Sequence, residues 1–197
     1  MTSSEPMGLR ERKKARTRAA IQRHAVRLFL EQGYAATTVE QIAAAADISP
    51  STFFRYFPTK EETVLYDSVD QLLIEAGRRQ PKDLSLLGAV RAALHEVHGN
   101  LSPEAWAGER RRQALVFSEP ELRAKAMEGH LRSTYLMADW VAARTGRSAS
   151  DFEVHTWAGA VVGVILSTAQ LAATDLDADY VGLLDRAFTH LENGLPL

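Results

Sequence analysis

The sequence of 197 residues contains no cysteine. Disulfides, thiolate metal sites and a cysteine nucleophile are therefore excluded, and a reducing cytoplasm is the expected location. The hydrophobic share of 46% and the charged share of 24% are ordinary for a globular protein, which argues against disorder over most of the chain. The length allows one large domain or two small ones.

The sequence also lacks a long uninterrupted apolar run. Met1 to Glu11 is polar, so it does not resemble a signal peptide. The longest apolar stretch, Trp157 to Ala173, is interrupted by three polar residues and falls short of the roughly 20 residues that a bilayer span needs. We expect a buried helix at that stretch and no membrane partner.

Motifs that indicate catalysis are missing as well. There is no G-x-S-x-G elbow, no phosphate-binding glycine loop and no HExxH. His95 and His98 are three apart beside Glu96, but two histidines without a further ligand are more typical of a helix surface. The sequence therefore predicts no catalytic residue, no metal site and no cofactor, and we predict that the protein is not an enzyme.

The charge that is present is unevenly distributed. Residues 1–60 carry ten Lys/Arg against five Asp/Glu, a net +5, whereas residues 61–197 carry thirteen against twenty, a net −7. A basic N-terminal block on an acidic body is typical of a protein with a local polyanion contact. Charge alone does not distinguish DNA from RNA or an anionic membrane.

The hydrophobic periodicity is helical almost throughout, and no alternating strand pattern occurs. After a disordered leader over residues 1–9, a first helix is expected from Arg10, with Ile21, Ala25 and Phe29 on one face and a stop at Gly33. The C-terminal helices are predicted at roughly 85–99, 103–117, 120–144, 151–174 and 178–192. The fold class is all-α, with about nine helices.

Between these regions lie three short helices with clear start signals. Thr38 and Gln41 form a capping box, and Ser49-Pro50 places a cap before a proline at the first helical position. A second capping box spans Thr59-Lys60-Glu61-Glu62. Only Asp47-Ile48 separates the first two of these helices, which is the short turn of a helix-turn-helix.

The second helix of that pair has two chemically different sides. Phe53 and Phe57 are expected in the core. Ser51, Thr52 and Arg55 are short polar or cationic side chains, and they are expected on the other side of the helix. A helix fits the major groove of DNA, where an Arg can donate two hydrogen bonds to guanine. Upstream basic residues of the first helix, Arg16 among them, could follow the phosphate backbone or enter the minor groove.

The block over residues 15–65 resembles the DNA-binding head of the TetR family. The resemblance rests on Gly33-Tyr34, Thr37-Thr38-Val39, Ala46-Asp47-Ile48-Ser49 and Thr52-Phe53-Phe54-Arg55-Tyr56-Phe57-Pro58-Thr59-Lys60-Glu61-Glu62. It implies a three-helix head over residues 10–66, joined by a fourth helix to a helical ligand-binding and dimerisation domain over residues 67–197.

The resemblance also implies roles for individual residues. Thr38, Thr52 and Tyr56 match positions that touch phosphate or bases, and Lys60 matches a lysine that grips a phosphate at the start of the fourth helix. Phe54 stands where the family often has Tyr, so one hydroxyl-to-phosphate contact is expected to be missing. The predicted DNA-binding set is Arg16, Thr38, Ser49, Ser51, Thr52, Arg55, Tyr56 and Lys60.

The C-terminal half is less informative. Arg110 to Trp140 resembles the ligand domain of the branch linked to acyl-CoA-like or mycofactocin-type ligands, and Arg110-Arg111-Arg112 could meet an anion or form a solvated face. The candidates for lining a ligand pocket are Trp106, Phe117, Met127, His130, Tyr135 and Trp157. By resemblance the last two helices would form a two-fold four-helix bundle, with Val161, Val162, Ile165 and Leu166 as dimer contacts.

These observations predict a homodimeric regulator that binds a palindromic operator in double-stranded DNA and is released by a small apolar or amphipathic effector. Repression rather than activation is implied by the family only. The alternative is an architectural DNA-binding protein without a ligand, which would bind all sequences alike and depend strongly on salt.

Overall fold

The structure, a computed structural model, describes residues 8–65 and 68–197, and the chain divides into two compact units, Met1–Tyr66 and Asp67–Leu197. Every regular element in the described residues is an α-helix, which confirms the all-α prediction. The first unit contains α1 (Leu9–Gln32), α2 (Val39–Ala45), α3 (Pro50–Tyr56) and α4 (Glu62–Leu65). The second contains α5 (Ser68–Arg79), α6 (Leu86–Asn100), α7 (Pro103–Ser118), α8 (Pro120–Thr145), α9 (Phe152–Ala172) and α10 (Tyr180–Glu192).

Helix α1 begins at Leu9 with Gly8 as its N-cap, one residue before the predicted start at Arg10. Residues 1–7 of the predicted leader lie outside the described part of the chain. The predicted apolar face of α1 is buried: Ile21 and Ala25 are 0% exposed and Phe29 is 2% exposed. The helix ends at Gly33, whose φ of 89° is a conformation that side chains with a Cβ rarely adopt.

The short helices of the first unit begin where their caps predict. The Thr38 hydroxyl accepts a hydrogen bond from the Gln41 backbone N–H at 3.3 Å, and the Gln41 side chain accepts one from the Thr38 N–H at 2.9 Å. Ser49 caps α3 by accepting from the Thr52 N–H at 3.1 Å. Between the two helices Asp47 has a φ of 54°, the left-handed conformation that reverses the chain within the two-residue turn.

The fourth helix starts later than its capping box predicts. The Thr59 hydroxyl does accept from the Glu62 N–H, at 3.4 Å, but α4 begins at Glu62. Lys60 therefore lies in the turn that precedes the helix rather than in its first turn. Ten helices occur in the described residues against about nine predicted; α4 and α5 lie on either side of residues 66 and 67, which are outside the described residues.

The helices of the second unit match the predicted ranges to within two residues at each end. Their core combines α6, α8, α9 and α10, with Val141, Ala158, Val161, Leu184 and Phe188 all 2% exposed or less. Helix α9 is long and apolar enough by composition to cross a membrane, yet seven of its residues are buried among its neighbours. One face of α9 therefore belongs to the core of the second unit.

Helix α5 approaches α8 closely at one glycine. A Cβ added to Gly77 would lie 3.0 Å from the indole nitrogen of Trp140, so a larger residue here would require the indole to shift. Arg144, one turn further along α8, donates to the backbone oxygens of Gln80 and Leu84 at 3.2 and 3.1 Å, and to that of Pro81. The end of α5 and the loop after it are thereby attached to α8.

Candidate nucleic-acid interface

Helix α3 separates an apolar inner side from an accessible outer side. Phe53 and Phe57 are 0% exposed and anchor the helix in the first unit, as predicted. Ser51 and Arg55 are exposed, and Phe54 beside them is 53% exposed. The outer side of α3 therefore offers one hydroxyl, one guanidinium and one apolar ring to a partner.

Three hydroxyl groups of the predicted site lie at helix starts, and the caps determine which of them keep a free proton. The Ser49 hydroxyl donates to the Thr52 hydroxyl at 3.0 Å while it accepts from the Thr52 N–H, so its proton is used inside the cap. The hydroxyls of Thr38 and Thr52 act only as acceptors in these bonds. Their protons are available to a phosphate oxygen, which is the role predicted for both residues.

The predicted cationic contacts differ in how they are held. Arg55 is exposed, and its guanidinium carbon lies 5.5 Å from the ring centre of the half-buried Tyr56. No carboxylate pairs with Arg55 among residues 8–65, so its hydrogen-bond donors face outward. Arg16 on α1 is exposed in the same way.

Lys60 is directed inward. Its ammonium donates to the backbone oxygens of Tyr34 at 2.8 Å and Thr37 at 2.9 Å, and it lies 4.3 Å from the centre of the Tyr34 ring. The sequence predicted a phosphate contact for this lysine, and two of its three protons are instead committed to the loop between α1 and α2. That loop is further held because the Tyr34 hydroxyl donates to Glu61 and the Thr37 hydroxyl donates to the Gly33 oxygen at 2.8 Å.

Sequence reasoning also missed the role of Arg18, which it grouped with the other basic residues of α1. The Arg18 guanidinium donates to the Tyr56 backbone oxygen at 2.8 Å, at the end of α3, and lies 4.7 Å from the centre of the Phe57 ring. Arg18 thus positions the C-terminal end of α3 from 38 residues away in sequence. No local pattern could have shown this, because Arg18 looks like its exposed neighbours.

The six candidate ligand residues of the second unit do not form one cluster. Trp106, Phe117 and Trp157 pack against the core, whereas Met127 is 54% and Tyr135 is 61% exposed on α8. His130 is half-buried, and this burial lowers the pKa of its imidazole, which favours the neutral ring. The six residues thus divide between three partly buried aromatic side chains and the side chains of α8.

The triplet Arg110-Arg111-Arg112 forms neither an anion contact nor a solvated helix face as a set. Arg110 is 4% exposed and donates to three backbone oxygens at the end of α9 and in the loop after it, those of Ala172 at 2.9 Å, Asp175 at 2.6 Å and Ala178 at 2.8 Å. Arg112 pairs with Glu109 on its own helix, at 2.5 Å. Only Arg111 of the three has an exposed side chain. Arg110 and Arg112 are therefore structural.

The four predicted dimer contacts are also divided. Val161 is 0% and Val162 is 5% exposed within a single protomer, because both pack into the core of the second unit. Ile165 and Leu166 are partly exposed. Further along α9, Leu171 is 69% exposed, beside an open groove of 590 Å³ that also includes Leu183, Ala187 and His190 of α10. Accessible apolar side chains of α9 thus include Phe152 at its first residue, which is 79% exposed, and Leu171 near its end.

Two family models match the chain. The N-terminal model, described as bacterial regulatory proteins of the tetR family, covers residues 21–66, and a model described as the MftR C-terminal domain covers residues 84–196. The HTH-type transcriptional regulator TcmR of Streptomyces glaucescens is 40% identical over 157 residues, covering 73% of this chain and 67% of TcmR. A protein of Mycobacterium tuberculosis named as the mycofactocin biosynthesis transcriptional regulator MftR is 30% identical, covering 87% of each chain.

Solved structures show the same architecture. FadR of Thermus thermophilus, a transcriptional repressor crystallised with lauroyl-CoA, superimposes with a TM-score of 0.59 at 26% identity and covers 91% of this chain and 95% of its own. SmeT, the repressor of a multidrug efflux pump in Stenotrophomonas maltophilia, gives a TM-score of 0.60 at 18% identity, covering 91% and 93%, and supports the fold alone.

The class of protein follows from these matches and from the helix-turn-helix of the first unit. The fold is that of a transcriptional regulator with an N-terminal DNA-binding head and a helical C-terminal domain. More particularly, the chain belongs to the TetR family, and its second unit is of the MftR C-terminal type, as the sequence predicted. Its curated relatives are regulators rather than enzymes.

Proposed function

We propose that this TetR-family regulator binds a palindromic operator as a homodimer in the cytoplasm and is released by a small amphipathic effector. The observation that carries the DNA-binding part is the outer side of α3, where Ser51 and Arg55 are both exposed. Phe53 and Phe57 hold the helix from behind, so its outer residues keep a fixed spacing. Thr38 and Thr52 would position the head through phosphates while Arg55 reads a base edge.

The dimer in this proposal forms through α9 and α10. Ile165 and Leu166 are partly exposed and Leu171 is exposed on α9, and the groove beside Leu171 is lined by α10. A two-fold axis there makes the contact self-complementary. It would present two α3 helices to successive major-groove faces about 34–36 Å apart, which is why a palindrome is expected.

The effector in this proposal is an acyl thioester or a compound of similar amphipathic character. The repressor FadR of Thermus thermophilus was crystallised with lauroyl-CoA and shares 26% identity with this chain. The partly buried aromatic residues Trp106, Phe117 and Trp157 supply apolar surface, and a neutral His130 would tolerate an uncharged chain beside it. Such a ligand releases DNA only to the extent that it binds the released conformation better.

The experiment is a fluorescence-anisotropy titration of the full chain against DNA from upstream of its own gene, with a scrambled duplex as control, at two salt concentrations. Tight binding that is lost on scrambling, at two protomers per site, supports the proposal. Lauroyl-CoA is then added as the probe, with free coenzyme A as its matched control. Equal binding to both duplexes that disappears with salt would instead support an architectural DNA-binding protein.

A further inference from the structure

The outer side of α3 carries one residue whose exposure is explained neither by phosphate binding nor by hydrogen bonding to bases. Phe54 is 53% exposed, and in the described part of the first unit only Leu30 of α1, at 51%, is a comparably exposed large apolar residue. Isolated exposed apolar residues are common, so exposure alone decides nothing. What distinguishes Phe54 is its place on the helix that the proposed function directs into the major groove.

Phe54 lies on one flank of that outer side. Successive helical residues are rotated by about 100°, so Phe54 lies between Pro50 and Ser51 and about 60° from the buried Phe57. Pro50, Ser51 and Arg55 are all exposed. A helix that brings Ser51 and Arg55 to base edges therefore brings the Phe54 ring into the same groove.

The ring is also held in place. The buried Phe53 meets it edge-on, with ring centres 5.6 Å apart and an interplanar angle of 87°. Edge-to-face contacts of this kind favour one ring orientation. One edge of the Phe54 ring is thus supported by Phe53, and the exposed remainder is accessible to a partner.

The chemistry of a phenyl ring limits what it can recognise. It has no donor for a phosphate and none for the edge of a base. The apolar feature that the major groove displays is the 5-methyl group of thymine, for which a phenylalanine is a suitable contact. We propose that Phe54 reads a thymine methyl group in each half-site and so determines part of the operator sequence; this rests on the proposed function.

The test separates the methyl group from every other feature of the base. An operator is first selected from a random duplex library with the full-length chain, and each thymine is then replaced singly by deoxyuridine, which removes only the methyl group. We expect one thymine per half-site at which this replacement weakens binding about fourfold, the effect of withdrawing one buried methyl-sized group (about 0.8 kcal/mol). Replacement in both half-sites should weaken binding about fifteenfold, the square of that factor.

Variants assign the effect to the residue. Phe54→Ala should bind the thymine and uracil duplexes equally, whereas Phe54→Tyr, which retains the ring, should still discriminate. Leu30→Ala removes the other exposed apolar side chain of the head and should leave the discrimination unchanged. Placing 5-methylcytosine opposite guanine at the sensitive position should bind better than cytosine there, because the methyl group returns.

Three results would overturn the inference. In one, no single uracil replacement changes the affinity of the wild-type chain. In another, Phe54→Ala loses affinity but retains the full thymine preference, which would mean that the ring contacts the sugar–phosphate backbone. In the third, the selection enriches no sequence at all; that result would remove the proposed function and this inference with it, whereas the first two leave the proposed function intact.

Discussion

Replacing Lys60 by methionine tests whether its ammonium holds the head together or grips DNA. Methionine keeps most of the apolar stem and removes the charge that donates to the Tyr34 and Thr37 oxygens at 2.8 and 2.9 Å. Hydrogen bonds from charged groups are each worth about 1.5–3 kcal/mol, and the cation–ring contact adds about 0.5–1 kcal/mol. Lys60 is half-buried, so water compensates for part of these lost interactions. We therefore expect the free energy of unfolding to fall by a net amount of about 1.5–3 kcal/mol.

Two measurements on the same variant distinguish the roles. Hydrogen exchange should accelerate at the amides of residues 33–37, because their loop loses its anchor, and urea unfolding should show the lost stability. The salt dependence of operator binding should stay as in the wild type. Lys82→Met, at an exposed lysine of the second unit, is the matched control and should change none of these quantities.

The opposite pattern would refute this reasoning. If Lys60 leaves the loop for a phosphate in each protomer, the slope of log affinity against log salt falls in magnitude by about 1.8 per dimer. Unfolding free energy within about 0.5 kcal/mol of the wild type, together with that smaller slope, would show that the inward contacts contribute little.

Three further predictions concern other residues. Arg110→Met should lower the free energy of unfolding by about 2–4 kcal/mol, because it leaves three backbone oxygens without their buried donor. The control Arg111→Met changes the exposed neighbour and should lower it by less than about 0.5 kcal/mol. Urea unfolding curves that are equal for the two variants would contradict this prediction. Arg55→Ala should cost about 1–3 kcal/mol on the selected operator in an anisotropy titration and far less on random DNA, and equal losses on both would exclude a base contact. Thr38→Ala should remove the cap of α2 and lower the stability measured by thermal unfolding by about 1 kcal/mol. Thr38→Ser keeps the hydroxyl and should retain most of that stability. A serine variant as unstable as the alanine variant would exclude the cap as the cause.

The sequence by itself determined the features that depend on neighbouring residues. A capping box such as Thr38 with Gln41 involves a partner three positions away, so it can be recognised in the letters and it appears in the structure as predicted. The inner residues of α1, α3 and α9 follow from helical periodicity for the same reason. Helix bounds in the second unit could be placed within two residues because caps and turn residues mark both ends.

Tertiary structure alone decided what the cations do. Arg18 and Arg110 have exposed arginines near them in sequence, and Lys60 lies in a capping box that predicts an accessible lysine. Each of the three finds its acceptors 23 to 68 residues away in sequence. Their partners are backbone carbonyls, which every residue carries and which therefore leave no mark in the sequence. Tertiary structure also decided the role of Val161. This valine belongs to an apolar face of α9 that is wide enough for both core packing and a dimer contact. Only the packing of α9 among its neighbours shows that Val161 is buried inside the protomer, whereas Leu171 is 69% exposed.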